Sequence, residues 1–362
     1  MADQTERERL RTASRRLDGH GSRSVAELLA TTARWCEEHE VGLDPYGVGP
    51  FTSEFEGKVA GLLGMPAARF FPSGTMAQQV ALRVWTERAG NNHFAMHPTA
   101  HLELHEQHGY QHVHGMRATL LGPADEPLLA SHFEGLDTEV AALLIELPIR
   151  EAGGQLPTWV QLEELKKAVA ARIARFHLDG ARVWESAAFY GRSYAEICAG
   201  FDSVYVSFYK GIGALTGAML LGPEDFIEEA AVWQRRAGGN LYTMAPNVAS
   251  AAMLLESRLA KMPAYYERAV ALVTALSPIE GISILPDPPH TNLMHITLSV
   301  DAETAKQRRD SVARDTGLWL FGGVEPQGDD ACRFELYIGD AALDLEDDEV
   351  VAAFRNIVAT ED

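Results

Sequence analysis

The chain has 362 residues, 46% hydrophobic and 23% charged, with a formal net charge of −20 from 31 basic and 51 acidic residues. That is globular composition at a length for two modest domains, and the charge argues against nucleic acid or an anionic membrane as partner without forbidding a local basic pocket. Three cysteines without metal-type spacing (Cys36, Cys198, Cys332), a mixed-charge stretch over residues 1–24 and no apolar run of spanning length together predict reduced, buried thiols, no secretory signal and a cytoplasmic location.

Residues 1–44 read as a helical segment, with Val25, Leu28, Leu29 and Trp35 at near-helical spacing. The Gly/Pro cluster Pro45–Pro50 is a turn that opens the main domain, and Glu54–Leu63 returns to a helical period. The short apolar run Phe70-Phe71 then leads into Ser73-Gly74-Thr75, after which Met76, Val80 and Val84 recur every four residues. That pattern places free backbone N–H groups and two hydroxyls at a helix N-terminus, suited to a phosphate and compatible with simple capping by Ser73 or Thr75.

Histidines follow at 93, 97, 101, 105, 108, 112 and 114. His101 and His105 have the i, i+4 spacing of some zinc sites, but Leu102 stands where the usual motif has a glutamate, and no metal is expected. The preferred reading of His101 is a planar imidazole that stacks on a cofactor ring and shuttles a proton. Ala141–Ile149, interrupted only by Glu146, suits a buried strand of a mainly parallel sheet. Thr158 and Gln161 form a capping-box pattern before Leu162, Leu165, Val169 and Ile173 on one helix face.

Two strand ends then carry chemistry. Arg175–Leu178 delivers Asp179, and the run Val204–Tyr209 delivers Lys210, followed by glycines at 211, 213 and 217 that let a bulky ligand approach the backbone. A lysine that can form a Schiff base with an aldehyde, and an aspartate that can hold a pyridine nitrogen protonated, are what pyridoxal 5'-phosphate chemistry requires. Arg182 can reach the same pocket and grip a substrate carboxylate bidentately. Beyond about residue 255 the pattern becomes helix Tyr265–Leu276 and strands at Ile282–Leu285, Leu293–Val300 and Cys332–Ile338. The expected domains are therefore a helical segment 1–44, a large α/β cofactor-binding domain 45–255 with a doubly wound sheet, and a small α+β domain 256–362.

Together these residues resemble the threonine aldolase and β-eliminating lyase family of pyridoxal phosphate enzymes, over roughly residues 45 to 355. The matching motifs are Phe71–Ala77 for the phosphate turn, His101 with Glu106 for the stacking histidine and its following acid, His177-Leu178-Asp179-Gly180-Ala181-Arg182, and Lys210-Gly211-Ile212-Gly213-Ala214. The resemblance implies an aspartate aminotransferase-like fold and retro-aldol cleavage of a β-hydroxy-α-amino acid to glycine and an aldehyde. It further implies Arg333 as a second carboxylate-binding arginine, a small amino-acid substrate, and a homodimer or homotetramer with Arg235–Tyr242 near a neighbour's phosphate. The chain departs from the family in having Tyr209 where a serine often precedes the lysine, and Glu146-Leu147-Pro148-Ile149 where Glu-Asn-Thr-His is common. β-Elimination by a related lyase, and a non-catalytic binding protein on the same fold, are the alternatives.

Overall fold

The computed structural model describes residues 2–21, 24–172 and 174–359. Ile173, expected on a helix face, and residues 1, 22 and 23 of the N-terminal segment lie outside the described residues. The chain divides into two compact units, Val25–Ala152 with Leu156–Ala260, and Met1–Ser24 with Gly153–Gln155 and Lys261–Asp362. The segment 1–44, read from sequence as one helical piece, is thus shared between them.

The larger unit is built on a seven-stranded sheet of β1 (Ala67–Phe71), β2 (His93–Met96), β3 (Arg117–Leu120), β4 (Ala142–Glu146), β5 (Arg175–Gly180), β6 (Ser203–Ser207) and β7 (Ala218–Gly222). Their spatial order is β1-β7-β6-β5-β4-β2-β3, and β7 alone runs against its neighbours. Strands β4, β5 and β6 are buried almost throughout, which is why they read as apolar runs rather than alternating ones. Helix α1 (Gly74–Ala89) packs on the sheet through Ala77, Val80, Ala81, Val84 and Trp85, against Phe94, Leu144, Tyr205 and Leu220. Helix α2 (Trp159–Ala171) begins with the expected capping box: Thr158 N donates to Gln161 Oε1 at 2.8 Å, and Gln161 N to Thr158 Oγ1 at 3.3 Å.

The smaller unit holds β8 (Ile282–Leu285), β9 (Leu293–Leu298) and β10 (Cys332–Tyr337) in an antiparallel sheet, with the short strand Glu325–Pro326 on the far side of β10. Phe334 stacks on Phe321 at 4.4 Å and on Phe354 at 6.2 Å to form part of its core. Two sequence expectations are corrected here and in the larger unit. The N-terminal region is not helical throughout: Ala2–Ala13 and Val25–Glu38 are helices, but Arg15–Arg16 is a strand parallel to Leu318–Trp319. Its N–H groups go to Gly317 O at 2.8 Å (from Arg15) and Trp319 O at 3.0 Å (from Leu17), so tertiary pairing overrides local helical preference. Cys36 is half-exposed rather than buried, while Cys198 and Cys332 are buried, and all three are free thiols. Among the described residues no helix is long and apolar enough to cross a membrane.

Candidate active site

The parallel strands β4, β5 and β6 end side by side, so the residues at their carboxyl ends share one edge of the sheet. Glu146 lies opposite Asp179, and Asp179 opposite Tyr205, in the strand register. β6 stops at Ser207, three residues short of Lys210, which sits in a turn rather than at the strand end. Gly213 N donates to Lys210 O at 3.0 Å and Ala214 N to Phe208 O at 2.8 Å, so the backbone curls back beneath the lysine. Burial, with the Arg182 guanidinium second, pushes the Lys210 amine below its ordinary value, against the opposing pull of Asp179, Glu146 and Glu185. A lysine so placed keeps more of its nucleophilic free base at neutral pH than an exposed one.

Asp179 is 1% exposed and hydrogen-bonded on both oxygens. Ala181 N donates to Oδ1 at 3.0 Å, and the Gln78 amide of α1 donates to Oδ2. His177, two residues earlier on the same strand face, meets Gln78 Oε1 at 3.0 Å through Nε2 and Ser203 Oγ at 2.7 Å through Nδ1. Burial lowers its pKa to about 3, so the ring is neutral at neutral pH. On the other side of Asp179, burial and then the Asp179 charge push Glu146 up to about 7, although it accepts the Arg150 N–H at 3.2 Å.

The Ser73-Gly74-Thr75 turn lies at the N-terminus of α1, and the capping expected of it is present. Ser73 caps α1, its Oγ accepting the Met76 N–H at 3.3 Å, and both Ser73 and Thr75 are exposed. Thr216, beyond the lysine turn, donates to Pro72 O at 3.0 Å and ties the two turns together. A Cβ added at Gly74 would stand 2.0 Å from Tyr205 Oη and 2.9 Å from Tyr209 Oη. Tyr205 is 2% exposed and cannot yield, so Gly74→Ala is expected to cost about 1–3 kcal/mol of stability and to weaken anion binding at the turn, as thermal unfolding and phosphate titration would show. Gly217 has a different role from the one read in sequence. With φ +109° it faces the ring of Phe70, 2.1 Å from where its Cβ would be, so it serves packing rather than ligand approach.

His101 opens a short helix with its Nδ1 3.0 Å from Glu106 Oε1, and Glu106 accepts the Gln79 amide at 2.8 Å. His105 pairs instead with Glu151 at 2.8 Å, and no group of three metal-type ligands occurs among the described residues. Arg182 is half-buried at the start of the turn Val183–Glu185, near enough to act on Lys210, Glu146 and Tyr209. Arg333 belongs to the smaller unit, on β10, where its Nη2 is 2.9 Å from Glu325 Oε2. Gln78, Glu146 and Tyr205 went unread as site residues in the sequence. Glu146 did leave a signal, as the one acid in an apolar strand, and the His-x-Asp spacing placed His177 and Asp179 on one strand face.

Residues 26–300 match the family model of the beta-eliminating lyases. The chain belongs to the threonine aldolase and β-eliminating lyase family. It is therefore a pyridoxal phosphate-dependent lyase with the aspartate aminotransferase-like fold. Among solved structures it is similar to a Listeria monocytogenes EGD-E protein assigned as an L-allo-threonine aldolase, with 38% identity, TM-score 0.93 and 98% of each chain covered. An Arabidopsis thaliana relative, assigned as a low-specificity L-threonine aldolase, is 24% identical over 88% of this chain and 90% of its own length. The Escherichia coli K12 low specificity L-threonine aldolase is 28% identical over 65% of this chain and 72% of its own. For a member of this family the site residues fit the cofactor: an amine of lowered pKa, a doubly hydrogen-bonded carboxylate, and an open anion turn whose glycine cannot carry a side chain.

Proposed function

We propose that this chain cleaves a β-hydroxy-α-amino acid of the threonine or allo-threonine type to glycine and an aldehyde. The observation that carries this reading is the gathering of Lys210, Asp179 and the Ser73–Thr75 turn in one unit of a chain that shares 38% identity, end to end, with a protein assigned as an L-allo-threonine aldolase.

Pyridoxal phosphate, when bound, supplies a carbonyl that condenses with amines and a protonated ring that accepts the electron pair of a bond broken at the substrate α-carbon. In this proposal Lys210 would hold the cofactor, its lowered amine pKa favouring the free base. Asp179 would face the ring nitrogen and hold its proton in place. Ser73, Gly74 and Thr75 hold the phosphate with hydroxyls and backbone N–H groups at the N-terminus of α1. His101 would lie against the ring, and with Nδ1 turned to Glu106 its Nε2 would be free to accept a proton from the substrate β-hydroxyl. Arg182 binds the substrate carboxylate, so that the bond to be broken is held in one orientation.

Tyr209 replaces the family's serine, and its hydroxyl lies 3.3 Å from that of Tyr205, beside the turn. Tyr209→Phe is expected to weaken pyridoxal phosphate binding by about fivefold while leaving phosphate-free pyridoxal unaffected. Equal binding of pyridoxal phosphate by both proteins would remove Tyr209 from the phosphate site. Self-association is part of the proposal as well: in the larger unit Leu43, Tyr46, Val48 and Tyr242 are all more than half exposed, and Tyr46 meets Tyr242 at 5.6 Å.

Product analysis with the purified protein tests the reaction. The proposal expects equimolar glycine and aldehyde from β-hydroxy amino acids. Pyruvate and ammonia from substrates with a leaving group at Cβ, without aldehyde release, would establish β-elimination instead.

A further inference from the structure

Asp179 and Glu146 face each other in register on β5 and β4, at 1% and 7% exposure. Two buried carboxyls so placed do not both ionise without a large penalty, so one charge has to be assigned between them. The cations nearby, Lys210 and Arg182, act on Glu146, and Lys210 on Asp179 too, so they do not choose cleanly. The phenols of Tyr205 and Tyr209 also face Asp179, but neither is charged near neutral pH because burial pushes both upward.

Hydrogen bonds make the choice. Glu146 takes one backbone N–H, from Arg150. Asp179 takes the Ala181 N–H and, on its other oxygen, the Gln78 amide. A glutamine amide serves as a donor only if it cannot flip, and here a directional chain holds it. The Trp85 indole can only donate, and gives its Nε1–H to Ser203 Oγ at 2.8 Å. With the neutral imidazole of His177 protonated on Nε2, Ser203 Oγ donates to Nδ1, Nε2 donates to Gln78 Oε1, and the Gln78 NH₂ is left for Asp179.

We propose that Gln78, held by His177, is a positioning residue that assigns the negative charge of the Asp179–Glu146 pair to Asp179 and leaves Glu146 with the proton. This rests on the cofactor reading above, since the charge matters because Asp179 is the group set against the ring nitrogen.

Gln78→Met keeps the side-chain length and removes the donor. The apoprotein variant is expected to bind pyridoxal phosphate about tenfold more weakly, and the pH midpoint of the holoprotein's visible absorbance is expected to move. The decisive variant is the double Gln78→Met/Glu146→Gln. With Glu146 unable to take the charge, Asp179 recovers it, and affinity should return to within about threefold of Glu146→Gln alone. A purely structural role for Gln78 would leave the double variant as weak as Gln78→Met. That result, or an unchanged affinity and pH midpoint in Gln78→Met, overturns the proposal. Should Gln78→Met not fold, Gln78→Asn, which draws the amide back by one methylene, carries the same comparison. A Lys210→Ala holoprotein that kept the wild-type absorbance would instead overturn the cofactor reading itself.

Discussion

Lys210→Ala is expected to lower aldehyde release from a β-hydroxy amino acid by about a thousandfold or more and to abolish covalent retention of pyridoxal phosphate. The side chain is held in a turn closed by its own carbonyl, and burial and Arg182 keep its amine reactive. No other lysine lies within the strand ends β4, β5 and β6 or the turns that follow them. Lys210→Arg separates charge from nucleophilicity, because a guanidinium stays protonated and cannot condense with an aldehyde. It should be as inactive as the alanine variant, and steady-state kinetics with coupled aldehyde detection would measure both. Activity within tenfold of wild type in either variant would displace Lys210 from its role.

Asp179→Asn is expected to reduce turnover by about a hundredfold or more, with substrate KM changed far less, because it removes a charge set against the reacting ring rather than a substrate contact. The amide has nearly the same shape, and Oδ1 can still accept the Ala181 N–H, so the fold should survive. The Gln78 NH₂ would then face another NH₂ unless the new amide turned, which adds a local cost of about 1–3 kcal/mol. A second consequence has a definite sign. Asp179 raises the Lys210 amine, so its neutralisation lets burial and Arg182 lower that amine further. The pH at which the apoprotein begins to take up the cofactor aldehyde should shift downward in Asp179→Asn/Glu146→Gln, where Glu146 cannot take up the charge that Asp179 gives up. An upward shift would contradict the placement of the two groups.

Much of this site was legible in the sequence because it is made of strand ends and one helix N-terminus. Buried parallel strands leave continuous apolar runs, and the first polar residue after such a run falls at the sheet edge, which is how Asp179 stands out. Lys210 was found the same way, although its strand stops at Ser207 and a turn supplies the remaining distance. The turn at Ser73–Thr75 was visible because a helical period starts directly after it. What the sequence hid depends on packing across elements. Gln78 is one turn into α1 and looks like any polar helix residue, and only the docking of α1 on β5 brings it to Asp179. Gly217 looked like a ligand-facing glycine because nothing local reveals the Phe70 ring against it. The N-terminal strand Arg15–Arg16 depends on partners some 300 residues away, beyond any local period.

The central claim is that Lys210 holds the cofactor at the edge shared by β4, β5 and β6. Reduction of the holoprotein with borohydride, followed by proteolysis and mass spectrometry, tests it most directly. The expected result is a phosphopyridoxyl group on the peptide that contains Lys210 and on no other. The group on a different lysine, or its absence from a protein reconstituted with pyridoxal phosphate, would contradict the account.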